Sequence, residues 1–362
     1  MASSSIFYEC ESDLDLGFVE DAPAWLLASR FFHSKVGGRP SWLDLKNLPE
    51  SQEFLCEFCQ KPRVLCLQIY APIEEKSNCF HRTLFVFMCT SPECHTDSKS
   101  PFLVLRSQLA RNNEFYPYES PVESQDWKSD LNAFKYVKIC RVCGCPGDKK
   151  CSGCDQVYYC SREHQMADWK FQHKRECKSG NFTYQFREDE VCHDLLLKQS
   201  MLVIEGDDEV VSDSDDDDTE EVNIDKELEK MKELQNGVSL SGKDLKEFVE
   251  EEEVKDKNYK RFSKVVKCAP DQVLRYQKNA TPLWISTQNV PQGNDIPNCP
   301  YCGSKRVFEF QIMPQLLHVL KLDKNPDEPS VDWGILAVYT CENSCDQGPA
   351  YRKEFIWKQM IE

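Results

Sequence analysis

Between Cys140 and Cys177 the chain sets eight metal-ligating side chains in 38 residues, as the pairs Cys140/Cys143, Cys151/Cys154, Cys160/His164 and His173/Cys177. No other feature restricts the fold so tightly. Two Cys-x-x-Cys knuckles and two pairs spaced i,i+4 supply the soft, four-coordinate sulfur and imidazole sets that zinc prefers. An i,i+4 pair lies on one face of a helix, one turn apart, so the last four ligands predict helix. All eight are cysteine or histidine, with no carboxylate and no open position, which marks structural zinc.

In this order, with the run Tyr158-Tyr159-Cys160-Ser161 and a helix carrying Trp169, the array resembles a MYND zinc finger. The resemblance implies two cross-braced sites. One zinc takes Cys140, Cys143, Cys160 and His164, and the other takes Cys151, Cys154, His173 and Cys177.

A repeat explains most of the other cysteines. Pro40-Ser-Trp42 aligns with Pro282-Leu-Trp284, and Cys56-Glu-Phe-Cys59 with Cys299-Pro-Tyr-Cys302. From there Cys59-x-x-x-Arg63-Val64-x-x-x-Gln68-Ile69 stays in register with Cys302-x-x-x-Arg306-Val307-x-x-x-Gln311-Ile312. Each copy continues into an apolar run closed by a second cysteine pair, Cys89 with Cys94 and Cys341 with Cys345. This pattern reads as a duplication.

Val64–Tyr70, Val307–Ile312 and the later apolar runs are rich in β-branched and aromatic residues and predict strands. A knuckle at one strand and a cysteine pair at another can share one zinc, which staples a small sheet. One site is therefore assigned to Cys56, Cys59, Cys89 and Cys94, with His95 as a substitute ligand, and the other to Cys299, Cys302, Cys341 and Cys345. The alternative is a set of buried free thiols, because the second pairs are irregularly spaced. Cys10, Cys66, Cys79, Cys145, Cys192 and Cys268 are left as packing thiols.

The expected fold class is α+β, mainly β: a duplicated zinc-stapled β domain with an inserted small zinc finger and an acidic disordered loop. The first copy spans residues 1–134, the finger 135–180, a helical segment and acidic linker 181–255, and the second copy 256–362. Leu16-Gly-Phe-Val19 predicts a strand, and Gly37-Gly38 before Pro40 a turn. Helices are expected around Ile224–Leu234, after Ser241, and around Tyr259, Phe262 and Val266. The finger is expected to stand apart as an outlying module.

Charge is divided unevenly. Of the net −17, the tract Glu205–Glu221 carries −11, with no Lys or Arg, and 205–222 is expected to be disordered. Ser212 and Ser214 precede acidic residues, as acidophilic kinases accept. Lys135–Lys178 holds ten Lys/Arg against five Asp/Glu. No helix with base-reading side chains accompanies it, so direct nucleic-acid binding is not expected. The N-terminus shows no secretory signal, and the longest apolar run is far too short for a bilayer. Twenty cysteines without an export signal read as metal thiolates and free thiols. The expectation is a soluble protein of cytoplasm and nucleus without membrane contact. No Gly-x-Gly cofactor loop, phosphate loop, Gly-x-Ser-x-Gly elbow or Asn-His-Ser-Cys signature is present, so no enzymatic activity is expected.

Lys35-Val-Gly-Gly-Arg-Pro-Ser-Trp-Leu43, the two knuckle copies, the finger inserted between them and Gln272-Val-Leu-Arg-Tyr276 together resemble the programmed cell death protein 2 family. The resemblance covers the whole chain. It implies a dedicated chaperone for one small-subunit ribosomal protein, universal small-subunit protein five (eukaryotic small-subunit protein two). Such a factor supports small-subunit biogenesis, and through it proliferation and stem-cell maintenance. The alternative is a transcriptional adaptor, corepressor or DNA-binding regulator linked to apoptosis, whose finger binds proline-containing peptides. An acidic tract can shield a basic client, and exposed strand edges can accept an extended client segment.

Overall fold

The protein is described by a computed structural model over residues 14–95, 101–179, 183–184, 186, 193–206, 256–322 and 329–360. The strands are β1 (Asp15–Glu20), β2 (Lys35–Val36), β3 (Val64–Tyr70), β4 (His81–Met88), β5 (Phe102–Leu109), β6 (Lys149–Lys150), β7 (Tyr158–Tyr159), β8 (Ser200–Gly206), β9 (Leu274–Tyr276), β10 (Arg306–Ile312), β11 (Ile335–Cys341) and β12 (Tyr351–Gln359). Among the described residues the longest helix is α3 (Lys257–Cys268), after the short finger helices α1 (Arg162–Asp168) and α2 (Lys174–Lys178); α4 (Gln315–Val319) follows. No described helix is long and apolar enough to cross a membrane.

Ten strands close into one barrel in the order β1-β8-β2-β3-β4-β5-β12-β11-β10-β9. Every neighbouring pair is antiparallel. The runs read as strands form β3, β4, β10 and β11, and Leu16–Val19 falls in β1. The expected strands leave out β5, β8, β9 and β12, although Phe102–Leu105 and Met201–Ile204 are also apolar runs. β12 (Tyr351-Arg-Lys-Glu-Phe-Ile-Trp-Lys-Gln359) mixes charge with apolar residues because its covered charges have partners: Glu354 accepts from Arg106 and Arg306, Arg352 donates to the Gln347 carbonyl and Lys358 to the His95 carbonyl, while only Lys353 is exposed. The segment read as helical and acidic linker contains β8, whose Glu205 pairs with Leu16 and Gly206 with Asp15. The rest of the acidic tract, Ser212, Ser214, the helices expected near 224–234 and 241–249, Cys10 and Cys192 lie outside the described residues. The helix carrying Tyr259, Phe262 and Val266 is α3.

Closure works by exchange. β1 pairs with β9 of the second half, and β8 with β2 of the first. On the other side β5 meets β12 over Val104–Ser107 and Tyr351–Glu354. A closed barrel has no free edge along its wall, so docking of a client strand onto a barrel edge is withdrawn.

Corresponding positions in the two halves behave alike. The β3/β4 ladder slips between Leu65 and Leu67, and the β10/β11 ladder between Phe308 and Phe310. Gln68 accepts from the Ser41 backbone N–H at 2.8 Å, and Gln311 from that of Leu283 at 2.6 Å. Those two residues stand just before Trp42 and Trp284, which explains the Pro-x-Trp spacing: the buried glutamine anchors the segment that delivers the indole.

The outer apolar face of each half has its own cover. In the first, Trp42 lies 5.3 Å from Phe85, 5.9 Å from Phe54 and 5.1 Å from Tyr351, beneath the finger. In the second, Phe262 of α3 packs with Trp284, Phe308 and Tyr339. Each indole buried here is worth about 3–5 kcal/mol against truncation to Ala. The halves also share a fully buried ion pair. Arg82 donates to Glu309 through both terminal nitrogens at 2.5 and 2.7 Å, and Tyr276 and Thr340 complete the carboxylate's shell.

Candidate metal centres

The ligand atoms gather into four sets, each within 4.8 Å: Cys56, Cys59, Cys89, Cys94; Cys140, Cys143, Cys160, His164; Cys151, Cys154, His173, Cys177; and Cys299, Cys302, Cys341, Cys345. The sulfur separations fit a metal and exclude disulfides. Zinc–sulfur bonds of about 2.3 Å give a tetrahedron edge of about 3.8 Å. Here Cys56–Cys94 is 3.8, Cys59–Cys89 3.5, Cys143–Cys160 3.6, Cys151–Cys177 3.9, Cys299–Cys345 3.7 and Cys302–Cys341 3.5 Å. A disulfide would stand at about 2.0 Å. The donor sets suit structural zinc, so the eight finger residues and eight barrel residues are the ones that would hold it.

All four knuckles share a backbone device that sequence reading missed. The carbonyl of the first cysteine accepts from the N–H of the fourth residue onward, at 2.8 to 3.0 Å. That residue is left-handed in every case: Gln60 (φ 60°), Gly144 (71°), Asp155 (59°) and Gly303 (78°). Glycine at two of these positions was a visible signal. Gln60 and Asp155 hid it.

An arginine completes each barrel knuckle. Arg63 donates to the carbonyls of Glu53, Leu55 and Pro101, and Arg306 to those of Pro297, Asn298 and Lys353. Leu55 and Asn298 each immediately precede the first cysteine. The matched arginines therefore position the knuckles by tying up carbonyls that would otherwise be orphaned. His95 lies outside the four-residue set, with its Nε2 2.6 Å from the Cys89 carbonyl. Of the cysteines left over, Cys66, Cys79 and Cys145 are buried and Cys268 is exposed.

In the finger, β7 delivers Cys160, and Ser161 caps α1 by accepting from the His164 N–H at 3.1 Å. His164 turns Nδ1 toward Cys140 and Cys160, at 3.6 and 3.2 Å. A π-helical turn, Trp169–His173, links α1 to α2 and brings Nε2 of His173 to 3.3 Å from Cys151. Such turns insert an extra residue and often mark functional sites. Burial raises the Cys151 thiol, but the Cys154 N–H and His173 outweigh this and bring it down to about 6. Cys302 is pulled to about 6 by Ser304, through its side chain and then its backbone. The lowered values favour thiolate at these two positions, whereas burial pushes Cys177, in the set with Cys151, up to about 11 and Cys345, in the set with Cys302, up to about 12.

The finger is not an outlying module. The Trp42 indole N–H donates to the Gly144 carbonyl at 2.8 Å, and Arg39 to those of Arg141 and Val142 at 3.0 and 3.1 Å. Cys140, Val142 and Cys143 share one apolar cluster with the barrel wall. The second barrel site is likewise held across the seam. Arg106 and Gln108 of β5 donate to the Cys345 and Ser344 carbonyls, and Lys76 to that of Asn343. In the reverse direction, Lys358 of β12 donates to the His95 carbonyl.

The family model for the programmed cell death protein 2 N-terminal domain matches residues 13–123, and that for its C-terminal putative domain matches 256–360. A MYND finger model matches 140–177, between them. The chain belongs to the programmed cell death protein 2 family. Programmed cell death protein 2 of Bos taurus is 41% identical over 98% of each chain, and that of Mus musculus 40% over 96%. A Schizosaccharomyces pombe protein named "Probable 20S rRNA accumulation protein 4" is 30% identical over 103 residues, 26% of this chain and 24% of that protein. No solved structure matches the chain.

Proposed function

We propose that this member of the programmed cell death protein 2 family is a dedicated chaperone for one basic small-subunit ribosomal protein, universal small-subunit protein five, acting in cytoplasm and nucleus without enzymatic activity. The observation that carries the reading is kinship with a fission-yeast protein named for 20S rRNA accumulation. The eleven-carboxylate tract supports it, since free ribosomal proteins carry basic surface that needs screening. In this reading the barrel arose by duplication, consistent with the matched bulges, glutamines and arginines. The barrel carries one zinc at each of its two knuckles and the finger carries two, four in all. The first copy, finger, linker and second copy keep the boundaries 1–134, 135–180, 181–255 and 256–362.

The test is co-purification from cells at native stoichiometry, with subunit profiles after depletion. A single ribosomal protein at one to one, and a shortage of free small subunits on depletion, is the expected result. Normal subunit ratios with altered transcription would overturn it. That outcome favours the adaptor reading, which has its own observation: Met166 and Phe171 of the finger are 49% and 56% exposed, a surface suited to proline-containing peptides.

A further inference from the structure

At the rim of the first half, where β3 ends and β4 begins, a half-open cavity of about 330 Å³ is walled by Phe31, Phe32, Tyr70, Phe80, His81 and Tyr118. Its back wall is built with strain. Phe32 is left-handed (φ 59°) and held there by stacking on His81 at 4.5 Å and edge contact with Tyr116 at 4.7 Å. Bulky residues adopt that conformation rarely, and such strain collects at binding sites. Tyr70 and His81 lock each other, Oη to Nδ1, at 2.9 Å. His33 in the lining has a buried Nε2 without a hydrogen-bond partner.

The charges around this cavity are mostly negative. Glu119 lines it, and Glu123 lies 3.7 Å from His33 Nε2. Glu74 is close enough that its charge adds to burial in pushing the Tyr70 hydroxyl up to about 12. The lining holds one cation, Arg111, whose guanidinium already lies over Tyr118 at 4.1 Å and Phe80 at 4.9 Å. The rim thus displays, within the chain, the contact it offers a ligand.

From this we propose that the cavity is a side-chain pocket for an arginine of an extended, basic protein segment. Ring faces that Arg111 does not cover stack on the guanidinium, and Glu119 and Glu123 receive its N–H groups. A guanidinium is planar, has five donors and no acceptor, and stacks on rings better than the compact lysine ammonium. The pocket volume accommodates one long side chain. The proposal rests on the chaperone reading only for the identity of the partner.

The probe is a short alanine peptide with two arginines, titrated into the full zinc-loaded chain at physiological salt; a citrulline peptide of the same length, uncharged but isosteric, is the control. Ring signals of ¹³C-labelled histidines report the place of binding. The arginine peptide should move the His33 and His81 signals and the citrulline peptide should not. Tyr118→Leu keeps the apolar surface but removes the π face and should weaken binding about threefold to tenfold. Glu119→Lys should weaken it by about tenfold or more. Attraction to the acidic tract alone would leave both signals and both variants unchanged, and that result overturns the pocket. If the peptide binds as expected but no ribosomal protein co-purifies, the pocket stands and the chaperone reading fails. If a ribosomal protein co-purifies equally with Tyr118→Leu and Glu119→Lys, the pocket fails alone.

Discussion

Replacing Arg82 with Met tests whether the two halves form one cooperative barrel. Both members of the Arg82–Glu309 pair are fully buried, and they come from opposite halves. Burial alone would raise the Glu309 carboxyl. Arg82, then Lys278 at 3.8 Å and the Thr340 hydroxyl, instead hold it well below the usual carboxylate range. Removing Arg82 strands that charge, at a cost of about 3–5 kcal/mol, and Glu309→Leu strands Arg82 at a similar cost. The double variant removes both charges and leaves only the Tyr276 and Thr340 hydroxyls and Lys278 to repartner, about 2–4 kcal/mol. The singles sum to about 6–10 kcal/mol, so the cycle should return an interaction energy of several kcal/mol. Urea unfolding followed by tryptophan fluorescence in excess zinc should move the midpoint of each single variant down by about 1–2 M. The pH dependence has a definite sign. A carboxylate with a depressed folded pKa stabilises above its unfolded value of about 4.3, and that stability is lost as pH falls through the folded value. The gap between the parent and Arg82→Met should therefore narrow in acid. Single variants costing under about 1 kcal/mol, or a double variant equal to their sum, would refute a single barrel locked by this pair.

Elemental analysis of the native protein should return four zincs per chain; Cys56→Ser or Cys299→Ser should each remove one and lower global stability, whereas Cys145→Ser should leave the count unchanged. Deleting residues 138–178 should expose Trp42 and strip Arg39 of two acceptors, lowering stability by about 1–3 kcal/mol for the unmet polar groups alone, read as a lowered thermal midpoint. An unchanged midpoint would restore the outlying module. Gly303→Ala meets no atom within 4 Å and should cost only the left-handed penalty of about 1–2 kcal/mol, while Gly144→Ala also brings a Cβ to 3.0 Å from Arg39 Cβ and should cost more. Equal costs in chemical denaturation would mean that the finger does not press on Arg39.

Short-range chemistry was legible in this chain, because a metal knuckle needs its cysteines two residues apart and a strand needs only its own alternation. The sixteen clustered cysteines and histidines, strands β3, β4, β10 and β11, and the paired arginines and glutamines all carry local marks. What the tertiary structure decided depends on partners distant in sequence. β8 reads as the fringe of an acidic linker because its short apolar run leads straight into Glu205 and the carboxylates beyond, yet it pairs with β1 and β2 and completes the wall. Arg82 and Glu309 read as ordinary surface charges until closure puts them together, 227 residues apart. Trp42 announces a core residue, but only the fold shows that its cover is the finger, and that the Gly144 carbonyl satisfies its indole. The pocket at Phe32 is the extreme case. Its rings come from four separate stretches of chain, at Phe31–Phe32, the end of β3, the start of β4 and Tyr118, and nothing in the local pattern of any one of them indicates that the others converge there.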